Sequence, residues 1–142
     1  MRRISVLMIC MSVVTTCLSA ADVPSPGVGW TEVMGGSWSP DAVVLSKAES
    51  ALRKALAARR GHKVTAADWQ TYSFQYQGNT TPVGHKVIEV NAFCSTLPDE
   101  WRTHFDLTRE WLRVFGGGDC FFRAHYDSTT GAVSSFKINA PK

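Results

Sequence analysis

Leu45, Ala48, Leu52, Ala55 and Leu56 recur at helical spacing, with Lys47, Glu49, Arg53 and Lys54 between them. The pattern predicts one amphipathic helix. Ser39-Pro40-Asp41 supplies its start, with Ser39 as N-cap, Pro40 in the first turn and Asp41 near the positive end of the dipole. Arg59 and Arg60 suit the far end, and Gly61 can take the left-handed conformation that closes it. The apolar stripe is narrow and rich in small side chains, so the helix can lie close against a sheet.

From Trp69 onward the period changes to two. Tyr72, Phe74 and Tyr76 alternate with Thr71, Ser73 and Gln75; Ile88, Val90, Ala92 and Cys94 alternate with Glu89, Asn91 and Phe93. Cys120, Phe122, Ala124 and Tyr126 alternate with Phe121, Arg123 and His125, and Ser134, Phe136 and Ile138 with Ser135, Lys137 and Asn139. Gly78 to Pro82 and Asp127 to Gly131 read as turns. The expected fold class is α+β: one N-terminal helix packed on an antiparallel meander of four to five strands, the apolar set of each strand facing the helix. Residues 39–142 form this single domain, and the Pro- and Gly-rich stretch 22–38 reads as an irregular segment laid on it through Trp30 and Trp38.

One long excursion joins Cys94 to Cys120. Inside it, Pro98 to Trp101 reads as a helical turn and Trp111 to Phe115 as a further strand, leaving Gly116-Gly117-Gly118 as a strand kink or a hairpin tip. Both cysteines have core-facing parity, so antiparallel pairing of their strands would set Cys94 opposite Cys120 and allow a disulfide.

The N-terminus sets the compartment. Arg2 and Arg3 precede the uncharged, mostly apolar run Ile4 to Val14, and Ser19-Ala20-Ala21 offers a cleavage site. The run is shorter than the ~20 residues that span a bilayer, so residues 1–21 read as a cleaved signal peptide, with no transmembrane anchor in the mature chain. Val14-Thr15-Thr16-Cys17 is a poor lipobox, because a small residue is expected before the cysteine. Cleavage removes Cys10 and Cys17 and leaves two cysteines in an oxidising compartment, secreted or periplasmic. It also lowers Lys+Arg from 15 to 13 against 12 acidic residues. A mature chain so near neutrality has no electrostatic case for nucleic acid.

Candidate chemistry is thin. Gly116-Gly117-Gly118-Asp119 lacks the Lys-Ser/Thr of a phosphate loop, and no cofactor motif is present. His62, His85, His104 and His125 are dispersed; Glu100 and His104 fall at i,i+4, but two ligands do not make a metal site. His125, Glu89 and Asp119 are the candidates for acid–base work. Asn79-Thr80-Thr81 fits the glycosylation sequon on an expected hairpin tip. Phe93 and Phe121 break the polar parity of the sheet's outer face. With Arg123 and His125 they form a candidate binding patch for a partner, a second copy of the chain or the N-terminal segment; the alternative of equal weight is that the 95–119 excursion folds over the two aromatics.

Val90-Asn91-Ala92-Phe93-Cys94, a Trp-containing excursion, Gly-Gly-Asp-Cys-Phe-Phe, Tyr126-Asp127 and a terminal Phe-x-Ile-Asn together resemble small exported bacterial proteins of unknown function, over about residues 69–140. The helix-then-meander order also resembles the cystatin-like architecture. Gln75-Tyr76-Gln77-Gly78 is one residue short of the cystatin Gln-x-Val-x-Gly spacing, so protease inhibition is not implied.

Three functions fit these features. The first is an exported non-enzymatic domain that binds another macromolecule outside the cytoplasm, as an inhibitor or immunity-type protein. The second is a small hydrolase or isomerase working on the open sheet face around His125. The third is a structural envelope protein. An enzyme needs its groups to converge in a pocket, whereas a binder needs an exposed aromatic patch.

Overall fold

The computed structural model describes residues 29–95 and 99–141. The expected signal peptide, Cys17 and Pro98 lie outside these residues. Elements follow in the order β1 (Trp30–Glu32), α1 (Ala42–Arg60), α2 (Ala66–Gln70), β2 (Tyr72–Thr80), β3 (Lys86–Cys94), α3 (Asp99–His104), β4 (Phe121–Asp127) and β5 (Val133–Ile138). The fold is α+β, with one main helix on a five-stranded sheet of order β1-β2-β3-β4-β5.

Leu45, Ala48, Leu52 and Leu56 are the buried stripe of α1. They meet Tyr72, Phe74, Ile88, Val90, Ala92, Phe122, Ala124, Tyr126 and Phe136, the apolar parity of four strands. Phe122 stacks on Phe136 at 5.0 Å between ring centroids, and Trp69 lies 4.7 Å from Phe74. Trp69 reaches this core from α2, whose Thr65 and Asp68 form a reciprocal capping box.

The sheet is mixed, which corrects the purely antiparallel expectation. β2 to β5 pair antiparallel, but β1 pairs parallel with β2, setting Trp30 beside Phe74. The reason is topological: α1 separates β1 from β2, and a helical crossover returns the chain parallel. Part of the segment expected to be irregular is therefore an edge strand. Trp30 stacks on Phe74 at 4.6 Å, and the Trp38 indole donates to the Asn79 carbonyl.

Two local expectations also change. The N-cap of α1 is Asp41, which accepts from the Val44 N–H at 2.8 Å, while the Ser39 hydroxyl donates to Glu32. Gly61, at φ 72°, does close the helix. Gly78 does not break β2. A Cβ there would collide with the Trp38 carbonyl oxygen, so the glycine permits a close backbone crossing while the strand runs on to Thr80. Asn79 consequently lies within β2 rather than at the hairpin tip, its amide donating to Gln77 Oε1.

At the sheet end that holds the 81–85 turn, the His85 ring meets Asp127 Oδ2 at 2.7 Å, and Asp127 Oδ1 accepts from the Thr129 and Thr130 N–H groups. The hydrogen bond from His85, with help from these turn amides, holds the Asp127 carboxyl at about 2, below its ordinary 3.8. A depressed carboxylate stabilises the fold above its unfolded pKa, and that contribution is lost as pH falls from about 4 toward 2. His85→Ala should raise the Asp127 pKa in an NMR titration. An unmoved value would assign the shift to the turn amides instead.

At the opposite end Cys94 and Cys120 form a disulfide, with Cα atoms 5.0 Å apart and a sequence separation of 26. They occupy the register position just beyond Phe93↔Phe121, as their parity predicts. By loop entropy the closure is worth about 3–4 kcal/mol. Beside it the Arg60 guanidinium binds Asp119 at 2.8 Å and donates to the Tyr72 hydroxyl, which donates to the Asp119 carbonyl. Burial pushes the Tyr72 hydroxyl up in pKa, so it remains a donor at neutral pH.

Candidate functional site

The face opposite α1 carries Ser73, Gln75 and Gln77 on β2, Glu89, Asn91 and Phe93 on β3, Phe121, Arg123 and His125 on β4, and Lys137 on β5. Residues 107–116 of the excursion cross part of it. Residues 111–115 form no strand, because they pass over the face of the sheet and have no strand edge to pair with. Side-chain amides satisfy their backbone instead. Gln75 donates to the Leu107 and Glu110 carbonyls and accepts from the Leu112 N–H. Asn91 donates to Gln75 Oε1 and the Leu112 carbonyl, and Asn139 to the carbonyls of Val114 and Gly116.

This docking revises the expected patch. Phe93 is only 2% exposed and contributes no contact surface, because the polar-parity face at β2–β3 is roofed by the excursion. Gln75 and Asn91 are likewise buried. Phe121 stays half-buried, His125 half-buried and Arg123 exposed. Gly116, Gly117 and Gly118 are neither a strand kink nor a hairpin tip. Their φ angles of 82°, 85° and 59° form a left-handed turn that leads through the single 3-10 turn Gly118–Cys120 into β4. Gly117 packs so closely on the Phe121 ring that a Cβ would lie 2.6 Å from it.

Between residues 112–116 and the β4–β5 pair lies a cleft of about 310 Å³, lined by Asn91, Arg113, Phe115, Phe121, Arg123 and Asn139 among others. Phe115 stands at its rim, 96% exposed. Pattern reading missed it by placing Phe115 on a strand; an aromatic immediately before three glycines was the available signal. Arg113, Arg123 and Lys137 are exposed, and among the described residues none of them has an ion-pair partner.

The acid–base candidates do not converge. Glu89 and His125 are direct cross-strand neighbours, but no hydrogen bond joins them. Asp119 is committed to Arg60 at the disulfide end. His62 contacts the Arg60 carbonyl and His85 pairs with Asp127. Among the described residues no ion pair joins Glu100 to His104, and no group of three or more His, Cys, Asp or Glu is placed to hold a metal. A larger hollow, about 560 Å³, runs along the solvent side of α1 past Ser46, Ser50, Arg53 and Lys63, with no aromatic in its lining. Among the described residues no helix is long and apolar enough to cross a membrane. No family model matches this chain, and no curated protein and no solved structure does so either.

Proposed function

We propose that this chain is an exported, non-enzymatic binding domain that acts on another macromolecule, in the manner of an inhibitor or immunity-type protein. The observation that carries the reading is the cleft lined by Phe115, Phe121, Arg113 and Arg123, whose arginines have no ion-pair partner among the described residues. Aromatic side chains bury large area with few rotatable bonds, and the Phe121 ring is held against Gly117. Export rests on the basic and apolar N-terminus and is supported by the Cys94–Cys120 bridge. The one-helix, meander-after order supports a cystatin-like architecture as our reading of the fold.

Recognition runs through the sheet face rather than a strand edge. β1 is only three residues long, and β5 is kinked at Ser135, whose φ is 53°, opposite a register shift between Arg123 and His125. Short or kinked edges resist strand addition.

The test is affinity capture from an extract of the source organism, with the mature domain and its variants as bait. Phe115→Ala should lose the captured partner and leave the melting temperature unchanged, since the side chain packs on almost nothing. His125→Ala should keep the partner. A hydrolytic or isomerase activity abolished by His125→Ala and spared by Phe115→Ala would replace this reading with the enzymatic one.

A further inference from the structure

We infer that the cleft takes an acidic peptide segment of a partner protein, with its carboxylates on Arg113 and Arg123, Lys137 nearby on β5, and an apolar side chain against Phe115 and Phe121. This rests on the binding reading above and adds the chemistry of the partner.

The charge arrangement is the first argument. Arg123 and Lys137 are direct cross-strand partners on β4 and β5, and like charges so placed destabilise a sheet. Arg113 lines the same cleft from the excursion. The strand acids of this parity stand further along: Glu89 is opposite His125 and Asp127 is paired with His85, while Arg123 stands opposite the neutral Asn91. Two arginines thus line the cleft, Lys137 stands beside Arg123 on the neighbouring strand, and none of the three has an ion-pair partner among the described residues. An incoming carboxylate supplies the missing charge.

The second argument separates a peptide from other anions. Phe115 and Phe121 both line the concave site, which suits one apolar side chain. A membrane would need a contiguous apolar face, but Met34, Val43 and Val83 lie on separate segments of the chain, and the exposed Phe105 of the excursion lies outside the cleft lining. A mature chain this near neutrality lacks the cationic excess of a nucleic-acid binder.

The experiment uses the mature protein and a short acetylated, amidated peptide alternating glutamate with phenylalanine, followed by amide NMR shifts and fluorescence anisotropy. Shifts should centre on residues 112–116 and 121–123. Exposed ion pairs are each worth up to about fivefold in affinity, and charge reversal adds repulsion, so Arg123→Glu and Arg113→Glu should each weaken binding about tenfold. Lys54→Glu, on α1 at the opposite face, should leave it unchanged. The glutamine version of the peptide should bind at least about tenfold more weakly. Equal binding of the glutamine version, no detectable binding, or an equal loss in Lys54→Glu overturns the inference. So does tighter binding to oligothymidylate or to phosphatidylglycerol vesicles. If Phe115→Ala abolishes partner capture while Arg113→Glu and Arg123→Glu retain it, the binding reading stands and the acidic partner falls.

Discussion

Leu52→Ala is expected to destabilise the protein by about 4 kcal/mol, in the upper part of the range for buried leucines. Leu52 is completely buried at the middle of the α1 stripe, between Ala48 and Leu56. Its neighbours are elements of a sheet whose strands are fixed by their own ladders, so the site cannot collapse to fill the void. For a domain of this size the melting temperature should fall by roughly 15–20 °C. Urea unfolding of the two proteins measures the difference, with Lys54→Ala as an outward-facing control expected to stay within about 0.5 kcal/mol. A Leu52→Ala change inside that same small range would mean that α1 does not seat on the sheet as described.

The half of the fold facing α1 was legible in the sequence because burial there is periodic. Leu45, Leu52 and Leu56 announce the helix, and Phe74, Val90, Phe122 and Phe136 announce the strands that meet it. Cys94 and Cys120 were legible for the same reason, since parity places them in register across β3 and β4. The other face was not. Polar parity looks alike whether water or a crossing loop satisfies the side chains, so Gln75 and Asn91 read as wet although both are buried. Phe93 left two readings open, an exposed contact or a ring covered by the excursion, and the structure takes the second, because nothing local to β3 tells the two apart. β1 escaped because three residues are too few to show a period. The N-cap moved from Ser39 to Asp41 because both residue types cap well, and Ser39 found a different partner in Glu32. The cleft therefore depends on long-range docking: Arg123 was legible as part of a candidate patch, but Phe115 and Arg113 were hidden by a misassigned strand.

That docking depends most on Gln75, and Gln75→Leu is expected to cost about 3–5 kcal/mol, given roughly 1–3 kcal/mol for each buried polar group left without a partner. The Gln75 amide uses its full capacity. Both N–H groups donate, to the Leu107 carbonyl at 2.8 Å and the Glu110 carbonyl at 2.6 Å, and the oxygen accepts from Leu112 N–H and Asn91 Nδ2. Leucine fills a similar volume and answers none of these groups. The excursion can lift to rehydrate them, which limits the loss of global stability, and the Cys94–Cys120 bridge keeps the lifted segment tethered. Arg113 and Phe115 directly follow Leu112, so lifting also dissolves the cleft, and partner binding should fall with stability. Hydrogen exchange at the Leu112 amide, read alongside urea unfolding, separates the two effects. Lost protection at Leu112 with intact β2–β3 and β3–β4 ladders is the expected result. A variant that keeps Leu112 protected and loses less than about 1 kcal/mol, the worth of one ordinary hydrogen bond, would show that Asn91 and Asn139 hold the excursion without it.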